Sequence, residues 1–407
     1  MTQEKALKKL KSGVNVFLTG EGGAGKTHTI NQFIEYLDDK RKNYAVTAST
    51  GIASTHINGK TIHSWSGLGI RKKLSPSEIK KVAGSSYTKE RLLGTEVLII
   101  DEISMVDGFL LNDVDKVLRE VKQKNEAFGG IQVVFVGDFF QLPPVVRGNE
   151  ELLFAFDSEA WKSANLEICY LTEQHRQNDT EFLDILNSLR SGSITDGHKE
   201  RLNQCQVADT PETKIFTHNI DVDRLNKQKL DEIQEPLKTF KMRSWGSEKT
   251  LDTLKKYCLS PENLELKVGA VVMFTRNNFK EGYVNGTIGK VKDFRENGAP
   301  IIELLDGTIV KPDRAEWECT RKRQVVASIE QYPLRLAWAI TVHKSQGMSL
   351  DSAEIDLSDT FEYGQGYVAL SRVRSLQGLH LSGINDMAFQ MHPRVVEQDA
   401  IFRELGV

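Results

Sequence analysis

Residues 20 to 27, GEGGAGKT, constrain the fold of this chain more than any other stretch. Four glycines fall within six positions, so the backbone there can curl through conformations that a Cβ atom would forbid. The preceding VNVFLTG (14 to 20) is an apolar, β-branched run that reads as a buried strand, and THTINQFIEYL after Lys26 repeats apolar residues at helical spacing. Strand, glycine turn and helix in that order are the context of the G-x-x-x-x-G-K-S/T phosphate loop, with Gly20, Gly25, Lys26 and Thr27 in the fixed places and Gly22 and Gly23 between them. Backbone N–H groups then converge on a phosphate beside the positive end of the helix dipole. Lys26 would reach the β and γ phosphates and the Thr27 hydroxyl would ligate magnesium. The bland alternative is a flexible strand-to-helix turn.

A chain of 407 residues exceeds one ordinary domain and predicts two or three. No apolar run reaches the roughly 18 residues of a membrane span, and MTQEKALKKLKSG lacks the apolar core of a secretory signal. The expected location is cytoplasmic, with a nucleoid of bacterial or phage type. Cys169, Cys205, Cys258 and Cys319 lie far apart without a CxxC or a histidine at ligand spacing, which predicts reduced thiols rather than a zinc site or disulfides. With 53 Lys and Arg against 56 Asp and Glu, the net charge of −3 argues against holding a polyanion by bulk charge alone. A local basic channel stays open.

Two further strands continue the pattern. EVLIIDEISM (96 to 105) ends in Asp101 and Glu102 where a sheet edge would meet the phosphates. Asp101 suits the magnesium shell, and Glu102 suits the base that orients or deprotonates water; two acids there could equally form a solvated turn. IQVVFVGD leads into Phe139, Phe140, Gln141, Leu142, Pro143 and Pro144. A glutamine at that place can touch the γ phosphate, while the prolines stiffen its loop. Later, LTEQHRQ and YVALSRVRS each bring an arginine to a segment boundary, Arg176 and Arg372, suited to stabilising charge on a transferring phosphoryl across a cleft. LRLAWAITVHKSQGMSLDSAEIDL (334 to 357) leaves a strand and exposes Thr341, His343, Lys344, Ser345 and Gln346 before turning at Gly347, a set of donors fit for a nucleic-acid backbone or for solvent. TASTGIAS, TIHSWSG and FTHN follow other strands in the same manner.

In this order the motifs resemble those of the Pif-type (petite integration frequency) helicases, in the 5′-to-3′ branch of helicase superfamily one. The resemblance rests on GEGGAGKT, VTASTGIAS, TIHSW, LIIDEISM, FGGIQVVFVGDFFQLPPV, HRQ, TVHKSQG and YVALSRVRS, and spans nearly the whole chain. FGGIQ directly before VVFVGDFFQLPP is its most diagnostic part. Gln3, 17 residues before Gly20, matches an adenine-reading glutamine. The chain starts almost at that residue and ends soon after the last motif, and is therefore expected to be a minimal catalytic core.

The resemblance implies ATP and Mg2+ as cofactors. It implies Lys26, Asp101, Glu102, Gln141, Arg176 and Arg372 for catalysis, and Gln3, Gly20, Gly22, Gly23, Ala24, Gly25, Thr27, His28 and Gly347 around the nucleotide, with Thr27 and Asp101 on the metal. Along the DNA strand it implies Thr50, Gly51, His63, Ser64, Pro143, His218, Asn219, Thr341, His343, Lys344 and Ser345. His63 and His343 are alternatively structural histidines, and Trp65 and Phe140 either stack on bases or fill the core. The implied partners are single-stranded and tailed duplex DNA, with G-quadruplex among its substrates; no membrane is implied, and the expected working unit is a monomer.

The fold class expected is α/β, two RecA-like parallel-sheet motor domains with a small wedge and an inserted β barrel. The first domain covers 1–170, with a basic, polar stretch at 71 to 92 placed in a wedge insertion at about 62 to 92, or else a solvated helix pair. The second covers 171–235 and 326–407. Between them, in 236–325, LKVGAVVMFTRN, YVNGTIGKVKDF and PIIELLDGTIVKP alternate and are joined by turns such as Asn285-Gly286 and Asp306-Gly307. This reads as a small barrel at about 264–325, which the resemblance makes SH3-like. Two rival readings remain at this point: an ATP-switched nucleic-acid-binding protein without processive unwinding, and a metabolic phosphotransferase.

Overall fold

The computed structural model describes all residues except 50–59, 70, 146–150, 174–178, 208–209, 211–212, 279, 284, 322–323 and 407. They form two compact units, one of Met1–Lys199, Phe361–Arg374 and Asp386–Val407, the other of Glu200–Thr360 and Ser375–Asn385.

The first unit is built on a six-stranded parallel sheet of β1 (Val16–Gly20), β2 (Tyr44–Ala48), β3 (Lys60–Thr61), β4 (Val97–Asp101), β5 (Gln132–Val136) and β6 (Glu167–Leu171), in the order β3-β2-β4-β5-β1-β6. Every residue of β1 is buried, as a central parallel strand covered on both faces requires. Successive side chains of a strand point to opposite faces. Val16 and Leu18 accordingly join Ile30, Phe33 and Leu37 of α2 (Lys26–Asp39) and Ala6 and Leu10 of α1 (Gln3–Lys11) in one core. Phe17 instead packs against Trp161 at 4.9 Å and Phe402 at 5.0 Å between ring centroids. Each such side chain removed from water contributes about 1.5–3 kcal/mol, so β1, which ends in the phosphate loop, is held from both sides.

The stretch expected to form a wedge or a solvated helix pair contains the helices Ile62–Ser66, Pro76–Ala83 and Ser86–Gly94. Ser75 and Glu78 make a reciprocal capping box at the second of these, which buries Ile79, Val82 and Ala83 on one side. Its charges lie on the other face.

The compact units divide later than the boundary expected near 170. Helix Thr180–Arg190 buries Phe182, Ile185, Leu186 and Leu189, and its Arg190 pairs with Asp138 just beyond β5. Helix Gln365–Leu370 is buried along its whole length and bonds to the phosphate loop through Tyr367. These contacts place both segments with the first sheet.

The second unit holds a four-stranded parallel sheet in the order Ala339–Thr341, Lys214–Phe216, Ala353–Leu357 and Leu379–Ile384. The region expected to hold the barrel forms a five-stranded antiparallel sheet, in the order Ile309–Val310, Pro300–Leu304, Ile288–Phe294, Val271–Phe274 and Leu334–Leu336, around Val272, Phe274, Val291, Ile302 and Leu334. Cys169, Cys205 and Cys258 are buried and form no disulfide. Among the described residues no helix is long and apolar enough to cross a membrane.

Candidate functional site

The loop between β1 and α2 owes its shape to glycines in backbone regions that L side chains avoid. Gly25, at φ +85°, caps α2, and a Cβ there would lie 2.2 Å from Nε2 of Gln3, whose amide also points at the Ala24 carbonyl at 3.5 Å. The glutamine of α1 therefore rests directly on the loop. Lys26 Nζ donates to the carbonyls of Gly20 at 2.8 Å and Glu21 at 2.9 Å, folding its charge over the loop's mouth. The first N–H groups of α2 have no intrahelical acceptor, as at any helix start. Thr27 and His28 are exposed on that turn.

β4 delivers Asp101 and Glu102 beside this cation. Glu102 sits at φ +50°, left-handed for a residue with a side chain, a conformation costing about 1–2 kcal/mol; its amide donates to Asp101 Oδ1 at 2.9 Å. Burial pushes both carboxyls above the ordinary carboxylate range. Asp101 raises Glu102 further, while the charges of Lys26 and Arg372 draw it down. Arg372 is 1% exposed and fixed by Nε to the Val368 carbonyl at 2.8 Å and Nη2 to Ser371 Oγ at 2.7 Å. It belongs to the same compact unit as the phosphate loop.

Gln141 is buried, and its amide closes a turn onto the Asp138 carbonyl at 3.0 Å. Against it lies Gly364, φ +76°, where a Cβ would stand 2.4 Å from the Phe140 carbonyl oxygen and 2.9 Å from that of Gln141. Backbone cannot yield as a flexible side chain can. Gly364→Ala should therefore push the Arg372-bearing segment off the Gln141 loop and lower kcat by about tenfold or more, with a fall in Tm. Steady-state ATPase and thermal melting check this; an unchanged kcat overturns it.

Of the expected strand-contact residues, His63, Ser64 and Pro143 lie in the first unit and His218, Asn219, Thr341, His343, Lys344 and Ser345 in the second. Burial lowers the pKa of His63 and of His343, which favours neutral imidazoles. His218 is exposed, with Nδ1 at 2.8 Å from Thr217 Oγ1. The Thr341 hydroxyl accepts the Lys344 N–H as the cap of helix Val342–Ser345, and the buried Ser345 hydroxyl donates to the Val342 carbonyl at 2.8 Å. Both hydroxyls shape the turn, which leaves His343 and Lys344 partly exposed on it. Gly347, expected near the nucleotide, belongs to the second unit. Trp65 and Phe140 are core aromatics, and Phe140 is covered by the Arg190 guanidinium at 4.5 Å. Thr50, Gly51 and Arg176 lie outside the described residues.

A family model described as PIF1-like helicase matches residues 2–200, and one described as DNA helicase Pif1, 2B domain, matches 249–294. The ATP-dependent DNA helicase Pif1 of Psychrobacter sp. (strain PRwf-1) is 41% identical over 470 residues, covering 100% of this chain and 71% of the relative. The chain belongs to the Pif1-like helicase family. Bacteroides sp Pif1 in complex with ADP-AlF4 superposes with a TM-score of 0.85 at 34% identity, over 99% of this chain and 97% of that one. Bacteroides Pif1 in complex with ADP-AlF3 and ssDNA gives 0.70 at 31% identity, over 99% and 98%. The α/β fold with parallel sheets and the resemblance carried by the motifs are thus both confirmed.

For this Pif1-like chain, sequence reading missed three groups beside the loop: Asp138, Arg190 and Tyr367. Asp138 lies within VVFVGDFFQLPP without an assigned role, and Tyr367 stands five places before Arg372. Nothing in pattern or spacing marks Arg190.

Proposed function

We propose that this chain is an ATP-dependent DNA helicase that moves 5′ to 3′ on single-stranded DNA and separates duplex carrying a 5′ tail. The observation that carries this reading is the convergence in one unit of Lys26, the Asp101–Glu102 pair and Arg372, in a chain whose relatives are named ATP-dependent DNA helicases.

Loop amides and Lys26 would hold the β and γ phosphates, with Gln3 against the adenine. Thr27 and Asp101 would hold Mg2+: an exposed hydroxyl and a carboxyl that burial disfavours as an anion are oxygen donors suited to a hard divalent cation, beside Glu102, which burial and Asp101 both disfavour as an anion. Bound there, it neutralises charge on the phosphates. Glu102 orients the attacking water and takes its proton, Gln141 reads the γ phosphate, and Arg372, with Arg176, stabilises charge spreading over the transferring group. His63, Ser64 and Pro143 on one unit and His218, Asn219, His343 and Lys344 on the other would grip the strand, and hydrolysis would alternate which unit holds tighter. Opening a base-pair step costs roughly 1.4 kcal/mol, so repeated opening requires hydrolysis. Folded DNA such as a G-quadruplex fits the same strand-pulling activity, and one chain carries the full residue set, so a monomer suffices for turnover.

ATP turnover with and without single-stranded DNA, followed by unwinding of matched duplexes with 5′, 3′ or no tails and excess trap strand, tests the proposal. Stimulated turnover and opening of the 5′-tailed duplex are expected. Turnover indifferent to DNA would indicate a phosphotransferase, stimulated turnover without strand separation an ATP-switched binder, and preference for the 3′ tail would overturn the polarity.

A further inference from the structure

A buried polar network lies against the phosphate loop, and its geometry ties that loop to the segment bearing Arg372. Arg190, at the end of helix Thr180–Arg190, is 2% exposed and donates through Nη1 to Asp138 Oδ2 at 2.5 Å and to the Tyr367 hydroxyl at 3.0 Å. Its Nη2 donates to the Tyr170 hydroxyl at 3.0 Å, and Asp399 lies 4.0 Å away. Two buried charges at this distance compensate each other, and removing one partner would strand the other.

The Tyr367 hydroxyl is the pivot. A phenol has one hydrogen to donate and two lone pairs to accept with. Here it accepts the Gly22 N–H at 3.2 Å and the Arg190 N–H, and it donates to Asp138 Oδ2 at 3.3 Å. All three capacities are used. Burial pushes the phenol up to about 12, so it keeps the hydrogen it donates. Gly22 is one of the loop's glycines, and its amide is aimed at this hydroxyl. The next residue after Tyr367, Val368, supplies the carbonyl that anchors Arg372 Nε. A continuous chain of contacts thus runs from the loop amide through the phenol and one helical turn to the arginine.

We infer that Tyr367 is a positioning residue, whose hydroxyl registers the Arg372 segment against the phosphate loop over the Arg190–Asp138 pair. The inference rests on the ATPase reading above. A phenylalanine keeps the ring packing and deletes the shared oxygen, leaving Gly22 N–H without its acceptor and letting the loop and the arginine settle independently. Misplacement of a catalytic group by an ångström costs about 100-fold in rate, although the groups that bind ATP remain.

The test is Tyr367→Phe in the full chain, with ATP turnover on single-stranded DNA, binding of a fluorescent ADP analogue, and the same substitution in an Arg372→Ala background. Expected are a kcat lower by about 10- to 100-fold with KM for ATP held within about threefold, retained ADP binding, and a further loss of less than about threefold in the Arg372→Ala background. A full additional loss there, or a kcat within about twofold of wild type beside a lowered Tm, overturns the inference and makes the hydroxyl a stability element. Melting and circular dichroism show that each variant is folded; Tyr367→Met, which lacks the hydroxyl without overfilling the buried site, repeats the comparison should Tyr367→Phe misfold. Wild-type protein without DNA-stimulated turnover would instead defeat the ATPase reading itself.

Discussion

Lys26→Ala is expected to lose ATP turnover by about 10³-fold and unwinding with it, while single-stranded DNA binding stays within a few-fold of wild type. The ammonium has a specific place: it donates to the Gly20 and Glu21 carbonyls across the loop, at the first position of α2. A phosphate entering the loop offers better acceptors than those neutral carbonyls, because its negative charge adds Coulomb attraction to the hydrogen bonds of the ammonium. Alanine is the best helix former, so α2 and the core beneath it should persist and Tm should move little. None of the strand-contact candidates His63, Ser64, His343 and Lys344 belongs to the loop, so DNA binding is expected to survive. Retained turnover above about a tenth of wild type would remove this loop from the chemistry, since Lys26 is the cation assigned to the β and γ phosphates from within the loop itself.

The loop was readable because its constraints are local. Gly20, Gly25, Lys26 and Thr27 are fixed in spacing by one curl of backbone, and the apolar runs on either side fix strand and helix. Asp101 and Glu102 were readable for the same reason, since four buried residues ending in two acids mark the end of a covered strand. What escaped were relationships between distant segments. Gly22 and Tyr367 are 345 positions apart and Arg190 and Asp138 are 52 apart. A buried charge looks in sequence like any surface arginine until its partner is placed. The division of the chain escaped likewise: a strand pattern shows where a sheet could begin, whereas the burial of helices Thr180–Arg190 and Gln365–Leu370 decides which sheet they join. Thr341 and Ser345 show a third limit, because the sequence of a polar loop does not reveal that its hydroxyls also bond the turn that carries them.

Arg372→Ala tests whether this buried charge belongs to chemistry or to packing. Its guanidinium is held by Val368 and Ser371 and lowers the pKa of Glu102, which burial and Asp101 raise. The arginine therefore already sits in the field of the group assigned to activate water. A charge that matters most when negative charge spreads over the transferring phosphoryl is felt in the transition state more than in the bound ground state. The expected result is a kcat lower by about 10³-fold, the lower end for an arginine of this kind, with KM for ATP and ADP affinity changed by less than about fivefold. Removing a buried guanidinium also costs stability, so Tm should fall, and turnover must be measured well below the new midpoint. Arg372→Lys separates the two effects. It restores a positive charge but not the planar fork that reaches Val368 and Ser371 together, so it should regain part of the stability and little of the rate. A raised KM with unchanged kcat would assign Arg372 to ground-state binding, and full rescue by lysine would reduce its contribution to bare charge.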